Sequence, residues 1–225
     1  MNNLPIEIQA LILNLLNLRS QINLIFACKR NKILMEYWEI NQKINVNDEK
    51  MKLCYYDCFV NIEIHKILPK YPKKLKHLKF SIFLSNDFLS DIKIPLTITH
   101  LNLGFHFNQP LNGCIPNTVI KLALGYNFNQ PITKGDIPNS VIKLTFGEKF
   151  NQPIEKGVLP ESIKILIFGY YFDPPNLDFI PSSVHYLRFC RKHDATINNM
   201  IPSTVKNVVF MKRCYMSRYS DYWDK

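Results

Sequence analysis

Apolar residues recur along the chain at fixed distances from a series of prolines. An aliphatic residue stands three positions after each proline, a leucine or valine six positions after it, and a phenylalanine or leucine eight positions after it. Positions six and eight are two residues apart, and side chains two apart on a strand point to the same face. The pattern therefore predicts one short strand in every repeat. The prolines are Pro72, Pro95, Pro116, Pro138, Pro160, Pro181 and Pro202, separated by 21 to 23 residues.

A constant period of this length is typical of a solenoid, in which each repeat buries its apolar face only against its neighbours. We expect successive strands to pair in parallel, one per coil, and the apolar positions to form continuous interior rows. Parallel strands need a return segment, and the roughly 15 residues left in each period are too few for a full helix and two loops. Such a fold offers a long regular surface, which favours binding over chemistry.

A glycine and a Phe-Asn-Gln-Pro block follow the strand in the middle repeats. Glycine suits a sharp corner or a close approach of two backbones. We expect the phenylalanine to form another interior row and the asparagine amides to hydrogen-bond from coil to coil. The pattern is best in the middle and decays at both ends, as expected for terminal repeats. The glycines are Gly104, Gly125, Gly147 and Gly169, and the blocks begin at Phe107, Phe128 and Phe150.

The block Phe128-Asn129-Gln130-Pro131-Ile132 resembles the FNIP repeat of slime-mould and giant-virus proteins, a relative of the leucine-rich repeat with about 22 residues. The spacing Val119-x-x-Leu122-x-Leu124 also resembles the start of a leucine-rich repeat. The usual asparagine register is not kept, since Phe128 and Asn129 stand where Asn-x-Leu is expected. The resemblance covers residues 72–211 and implies a leucine-rich-repeat-like solenoid.

The first forty residues follow a different pattern. Apolar residues at positions 4, 8, 11, 12, 15 and 16 have helical spacing, and Pro5 stands where the start of a helix tolerates it. Leu4-Pro5-x-Glu7-Ile8 and the later Ala27-Cys28-Lys29-Arg30 resemble an F-box, although Asn31 stands where that family usually has tryptophan. The resemblance implies that residues 1–40 dock the Skp adaptor of a cullin-type ubiquitin ligase and that the repeats select a target protein.

The adaptor-binding surface implied by the F-box resemblance is apolar. The alternative is that the N-terminal helices only cap the open end of the solenoid, which would make the chain a stand-alone protein-binding repeat scaffold. A head of this size has a small core and exposes apolar surface in either case. The implied adaptor-binding residues are Leu4, Pro5, Ile8, Leu11, Ile12, Leu15 and Leu16.

These patterns predict an α+β protein in four parts: a helical F-box-like head (1–40), a junction or irregular first coil (41–71), the repeat solenoid (72–211) and a C-terminal cap or tail (212–225). Residues 1–18 lack the basic start and cleavage site of a signal peptide, and no uninterrupted apolar run is long enough to span a membrane. We therefore expect a cytoplasmic protein (host cytoplasm if viral) without membrane contact. The six cysteines form no even framework and are expected to be reduced.

Composition adds little specific chemistry. The formal net charge is +10, which raises the possibility of an acidic or nucleic-acid partner. The lysines scatter, apart from a cluster at residues 70–79, so nucleic-acid binding is the weakest hypothesis. The sequence contains no phosphate-binding loop, nucleophile elbow or metalloprotease motif, and Cys54 and Cys58 lack the Cys-x-x-Cys spacing of a zinc site. We expect no enzymatic activity, cofactor or metal.

The residues five and seven positions after each proline alternate with the core residues and should point away from the core. This surface begins basic and turns apolar at Ile165 and Ile167 and aromatic at Tyr186, a composition typical of an interface. We predict that an unidentified target protein binds there; the alternative is that the C-terminal tail folds over it. The predicted target-binding residues are His77, Lys79, His100, Asn102, Lys121, Lys143, Thr145, Ile165, Ile167, Tyr186 and Arg188.

Overall fold

The computed structural model describes residues 44–45, 61–64, 71–80, 94–190 and 200–210. Every regular secondary-structure element within these segments is a β-strand, so the described architecture is a parallel β-solenoid. The predicted helical head (1–40), with its adaptor-binding residues, and the predicted tail (212–225) lie outside the described residues. The strands are β1 (Ile44–Asn45), β2 (Asn61–Ile64), β3 (His77–Phe80), β4 (His100–Asn102), β5 (Lys121–Ala123), β6 (Lys143–Thr145), β7 (Ile165–Phe168), β8 (Tyr186–Phe189) and β9 (Asn207–Phe210).

The strands form one parallel sheet in the order in which they occur along the chain. From β3 onward the pairing follows the proline register, so that Leu101 pairs with Leu122 and Leu122 with Leu144. The prediction of one parallel strand per coil is confirmed. Strands β1 and β2 extend the sheet into the junction, with Ile62 as the partner of both Ile44 and Leu78. The junction thus contributes two short strands to the sheet.

The interior consists of continuous rows of apolar side chains, as predicted. The row six positions after each proline is buried throughout β3–β8, and the row eight positions after it is likewise buried. The Phe-Asn-Gln-Pro phenylalanines form a further row, in which the ring centroids of Phe107 and Phe128 lie 5.9 Å apart and those of Phe128 and Phe150 lie 6.0 Å apart. Phe172 continues the row at 5.6 Å from Phe150. Each coil therefore buries its rings against the next coil.

A tight turn at each proline fixes where the strand begins. The proline carbonyl accepts the N–H three residues later, as in the 3.1 Å bond from Val119 to Pro116. The carbonyl four residues after the proline then accepts two N–H groups from the next coil: Ile120 and Lys121 donate to Thr99 at 2.7 and 3.0 Å. The same two bonds recur from coil to coil, so proline spacing sets the register of the sheet.

The glycines after the strands allow direct contact between the backbones of successive coils. A Cβ atom on Gly147 would stand 1.7 Å from the carbonyl oxygen of Gly125, and one on Gly169 would stand 2.2 Å from that of Gly147. No side chain fits at these separations, so the predicted close backbone approach is confirmed. Cys190 takes the equivalent position after β8, nine residues beyond Pro181.

Asparagine side chains link the coils on the return side. The Oδ1 atom of Asn108 accepts the Asn129 N–H at 2.8 Å, Asn129 accepts the Asn151 N–H at 2.9 Å, and Asn151 accepts the Asp173 N–H at 3.0 Å. The Gln130 amide donates a second bond to Asn108 at 3.1 Å. The predicted coil-to-coil asparagine ladder is therefore present, and every bond in it runs in the same direction.

Cys190 contradicts the expectation of reduced cysteines. It is buried and disulfide-bonded, whereas Cys114, the other described cysteine, is free. The second cysteine of the disulfide therefore lies outside the described residues. A separate expectation concerned membranes: within the described segments, no helix has the length and apolar character to cross one.

Candidate functional site

The residues five and seven positions after each proline in β3–β9 form two columns, which we call the strand face. Lys121, Ile165 and Tyr186 are half-buried, as are both histidines of the first column. The second column is more enclosed: Asn102 is 0% exposed and Thr145 and Ile167 are each 4% exposed. Ile167 nevertheless lies outside the continuous core cluster.

The expectation that the whole strand face is exposed is wrong for Asn102, Thr145 and Ile167, and also for Lys143, which is 8% exposed. Adjacent strands lie about 4.8 Å apart, so longer side chains in neighbouring positions shield the shorter ones. Ile167 therefore contributes to packing rather than to an open surface. The role of the strand face in target binding stays a prediction.

The first four positions of the first column form a continuous strip of basic residues, His77, His100, Lys121 and Lys143. The rings of His77 and His100 lie 4.1 Å apart between centroids, and the pairing register places His100 beside Lys121 and Lys121 beside Lys143. Burial, with the charges of His77, Lys121 and Lys143, lowers the pKa of His100 to about 4. Burial, with the charges of Lys121 and then Arg188, also lowers the pKa of Lys143. Lys121 and Lys143 thus place like charges side by side in a partly dehydrated strip, whereas the lowered pKa leaves His100 uncharged near neutral pH.

Several polar atoms on and beside the strand face are buried without a hydrogen-bond partner among the described residues: Asn102 Nδ2, Arg188 Nε and Glu148 Oε2. The Oδ1 atom of Asn102 accepts the Gly104 N–H at 2.9 Å, which fixes the amide beside the end of β4. Burial raises the pKa of Glu148, while a backbone hydrogen bond from Tyr170 and the charge of Arg188 act in the opposite direction. Two of the three unsatisfied atoms are donors.

Exposed apolar residues flank the strand face on both sides. Before the strands, four positions after the prolines, Ile120 and Ile142 are 38% and 43% exposed. Beyond the glycines, Tyr170 and Tyr171 are 42% and 54% exposed. Phe105 is exposed in the same region, and its ring stacks on that of Tyr126 with a centroid separation of 4.5 Å.

The sequence-based prediction did not include these flanking rows, because it considered only the strand positions that alternate with the core residues. The sequence nevertheless contains a signal for them. Position four carries isoleucine in two adjacent coils, where four of the other five have Lys or His: Lys76, Lys164, His185 and Lys206. A large aliphatic residue at a position that other coils leave charged indicates an exposed apolar site.

The assembled surface offers cations, amide and guanidinium donors, and exposed isoleucine and tyrosine side chains. Within the described part of the chain, no three His, Cys, Asp or Glu side chains are grouped to hold a metal ion. The arrangement suits recognition of a complementary surface, since apolar and aromatic side chains interspersed with positive charge are typical of protein interfaces.

Comparison with known proteins identifies the repeats. Residues 88–127, 107–149 and 150–192 match the FNIP Repeat family model. Over 129 residues the chain is 36% identical to the FNIP repeat-containing protein R636 of Acanthamoeba polyphaga mimivirus, a match covering 51% of this chain and 32% of that protein. The crystal structure of CroV588, described as a novel circular LRR protein, is similar with a TM-score of 0.59 and 30% identity, covering 68% of this chain and 24% of that one.

Residues 88–192 therefore match FNIP repeats, and the repeats fold as a solenoid similar to a leucine-rich-repeat protein. The matched part spans about a third of the length of the mimivirus relative and about a quarter of the solved circular protein.

Proposed function

We propose that this FNIP repeat protein is a binding scaffold whose solenoid takes up a target protein along the strand face and its flanking rows, and that it catalyses no reaction. The observation that most directly supports this proposal is the exposure of Ile120, Ile142, Tyr170 and Tyr171 in a fold with ample apolar core. Large apolar and aromatic side chains left at the surface beside charged groups are the usual anchors of protein interfaces.

The test for target binding is affinity capture by the full chain, followed by direct binding measurements with each captured protein. Replacement of Tyr170 and Tyr171 by serine should weaken direct binding at least about tenfold, because interface tyrosines are frequent binding hot spots. The matched control is Leu96→Ser with Met200→Ser, which removes two other exposed apolar residues, 75% and 44% exposed, near the proline turns. Equal binding by both double variants would refute the proposed surface.

We further propose that residues 1–40 act as an F-box, so that the scaffold is a substrate-recruiting adaptor of a cullin-type ubiquitin ligase in the cytoplasm. The support is the Leu4-Pro5-x-Glu7-Ile8 start and the helical spacing of the apolar residues that follow. On this proposal the partners are a Skp-type adaptor and the target, without a membrane or nucleic acid.

A pull-down of purified Skp-type adaptor by the full chain tests the adaptor role. Leu11→Asp with Leu15→Asp should abolish capture, because both residues belong to the predicted adaptor-binding surface. Asn14→Asp with Asn17→Asp adds the same charge at positions outside that apolar spacing and should leave capture intact. Failure of the unaltered chain to bind the adaptor would favour the alternative, in which the head only caps the solenoid.

A further inference from the structure

Acidic side chains are absent from seven successive strands of the solenoid. Strands β3 to β9, over the bounds given above, contain lysine, arginine and histidine but neither aspartate nor glutamate. The exposed position just before these strands is basic in four coils and apolar or threonine in the others. Glu63 lies in β2 and pairs with Lys79. The acidic residues of the described segments beyond β2 lie in the turns and return segments, and they are Asp136, Glu148, Glu155, Glu161, Asp173 and Asp178.

The cations of the strand face are partly removed from water. Lys143 is 8% exposed, and Lys121 is half-buried between Lys143 and His100 in the pairing register. Burial first, and then the neighbouring positive charges, lower the pKa values of Lys143 and His100. A negative group that joins such a strip interacts more strongly than it would with a fully hydrated lysine, because the local dielectric constant is lower.

The apolar row beside the strip indicates a protein rather than a nucleic acid. Ile120 and Ile142 are exposed next to Lys121 and Lys143, so aliphatic and cationic groups alternate along the two adjacent coils. Phosphate backbones make no use of aliphatic anchors, whereas exposed aliphatic side chains beside charged groups are typical of protein interaction sites.

We propose that the segment of the target recognised by this solenoid is acidic and aliphatic, with its carboxylates along the strip around Lys121 and its aliphatic side chains against Ile120 and Ile142. The inference rests on the proposed scaffold function and specifies the chemistry of its partner. It restricts contact to the β4–β6 region, apart from the tyrosines farther along the solenoid.

Fluorescence anisotropy of the full chain tests the proposal with a labelled peptide made of four Glu-Glu-Leu repeats. We expect saturable binding that weakens as salt rises, and at least about tenfold weaker binding of the Gln-Gln-Leu and Glu-Glu-Ser peptides. Equal binding of the Gln-Gln-Leu peptide, or tighter binding of a twelve-nucleotide oligothymidine, would overturn the proposal.

Variants with matched charge locate the site. Lys121→Glu should weaken binding of the Glu-Glu-Leu peptide about tenfold, and Ile142→Asn should weaken it several-fold. Lys134→Glu makes the same charge change on an exposed return segment and should alter binding less than twofold. If Lys121→Glu and Lys134→Glu weakened peptide binding equally, the effect would come from net charge alone, which would contradict the proposed site.

Thermal unfolding of each variant shows whether the variant is folded. If Lys121→Glu does not fold, Lys121→Gln is measured in its place. The outcome is separable from that of the scaffold proposal. If the Tyr170→Ser, Tyr171→Ser variant loses the target but no acidic peptide binds the unaltered chain, the scaffold proposal stands and the acidic-segment proposal fails.

Discussion

The phenylalanine row should couple each coil energetically to its immediate neighbour. The Phe107, Phe128 and Phe150 rings are fully buried or nearly so and stack at 5.9 and 6.0 Å with interplanar angles of 1° and 10°. Favourable aromatic pairs have centroids about 4.5–7 Å apart and contribute about 0.5–1.5 kcal/mol beyond area burial. Because these separations lie in the longer half of that range, we expect about 0.5–1 kcal/mol per pair.

A double-mutant cycle with Phe128→Leu and Phe150→Leu measures this coupling. Each single substitution keeps an apolar side chain and should cost about 1–2 kcal/mol in the free energy of unfolding. The double variant should lose less than the sum by about 0.5–1 kcal/mol, because the ring pair is already broken in either single variant. Urea unfolding followed by far-UV circular dichroism gives the four free energies.

The matched control is the pair Phe107→Leu and Phe150→Leu, which lies two coils apart with Phe128 between the rings. Their effects should be additive within about 0.3 kcal/mol, since stability in a solenoid is a sum of nearest-neighbour contributions. A coupling in the distant pair as large as in the adjacent pair would show that the rows do not act through neighbouring coils. Strict additivity of the adjacent pair would refute the contribution assigned to ring stacking.

Three further perturbations follow from the packing and the charges. Gly147→Ala should cost about 3 kcal/mol, because the new Cβ atom overlaps the Gly125 carbonyl oxygen and only a backbone shift relieves overpacking of this kind; thermal unfolding measures the loss. Asn129→Ala should cost about 1–2 kcal/mol by the same assay, since the Asn151 N–H loses its acceptor. His100→Gln should flatten the pH dependence of stability. The pKa of His100 is about 4 in the folded state and near 6.5 in the unfolded chain. The unfolded state therefore binds the proton more readily, and stability falls as pH drops from about 6.5 toward 4.

Each of these predictions has a control in the same coils. Gly135→Ala meets no atom within 4 Å but requires a φ of +99°, so it should cost less than Gly147→Ala; the reverse order would contradict the backbone contact. Asn139→Ala removes an exposed amide at a proline turn and should be nearly neutral. His185→Gln removes an exposed histidine, and a pH profile flattened equally by this variant would refute the role of His100.

The sequence was sufficient for the elements that repeat. Residues such as Leu122 and Phe128 recur at one position in every middle coil, and a one-dimensional stack has only one way to align them. The same logic predicted the asparagine ladder and the backbone contact at Gly147. Strand β2 escaped prediction because Ile62 lies only 16 residues before its partner Leu78 and has no proline at the usual distance.

Other features depend on neighbours that a repeat pattern does not identify. Alternation predicts that Ile167 points away from the core, but its burial depends on the length of the surrounding side chains. Glu148 and Arg188 interact across coils, although they occupy different repeat positions. The repeat spacing likewise does not predict the disulfide at Cys190, because its second cysteine is not among the described residues.

The one-way asparagine ladder makes the length of this protein adjustable in whole units. A duplicate of residues 129–150, inserted after residue 150, would bring one new Oδ1 acceptor and one new N–H donor to the ladder, together with two phenylalanines and two glycines. No polar group would be orphaned, and the sheet would lengthen by one strand, about 4.8 Å. A shorter or longer insertion would shift the residues that follow it out of alignment with the apolar, asparagine and glycine rows. The length of the binding surface can therefore increase or decrease only in steps of one whole repeat.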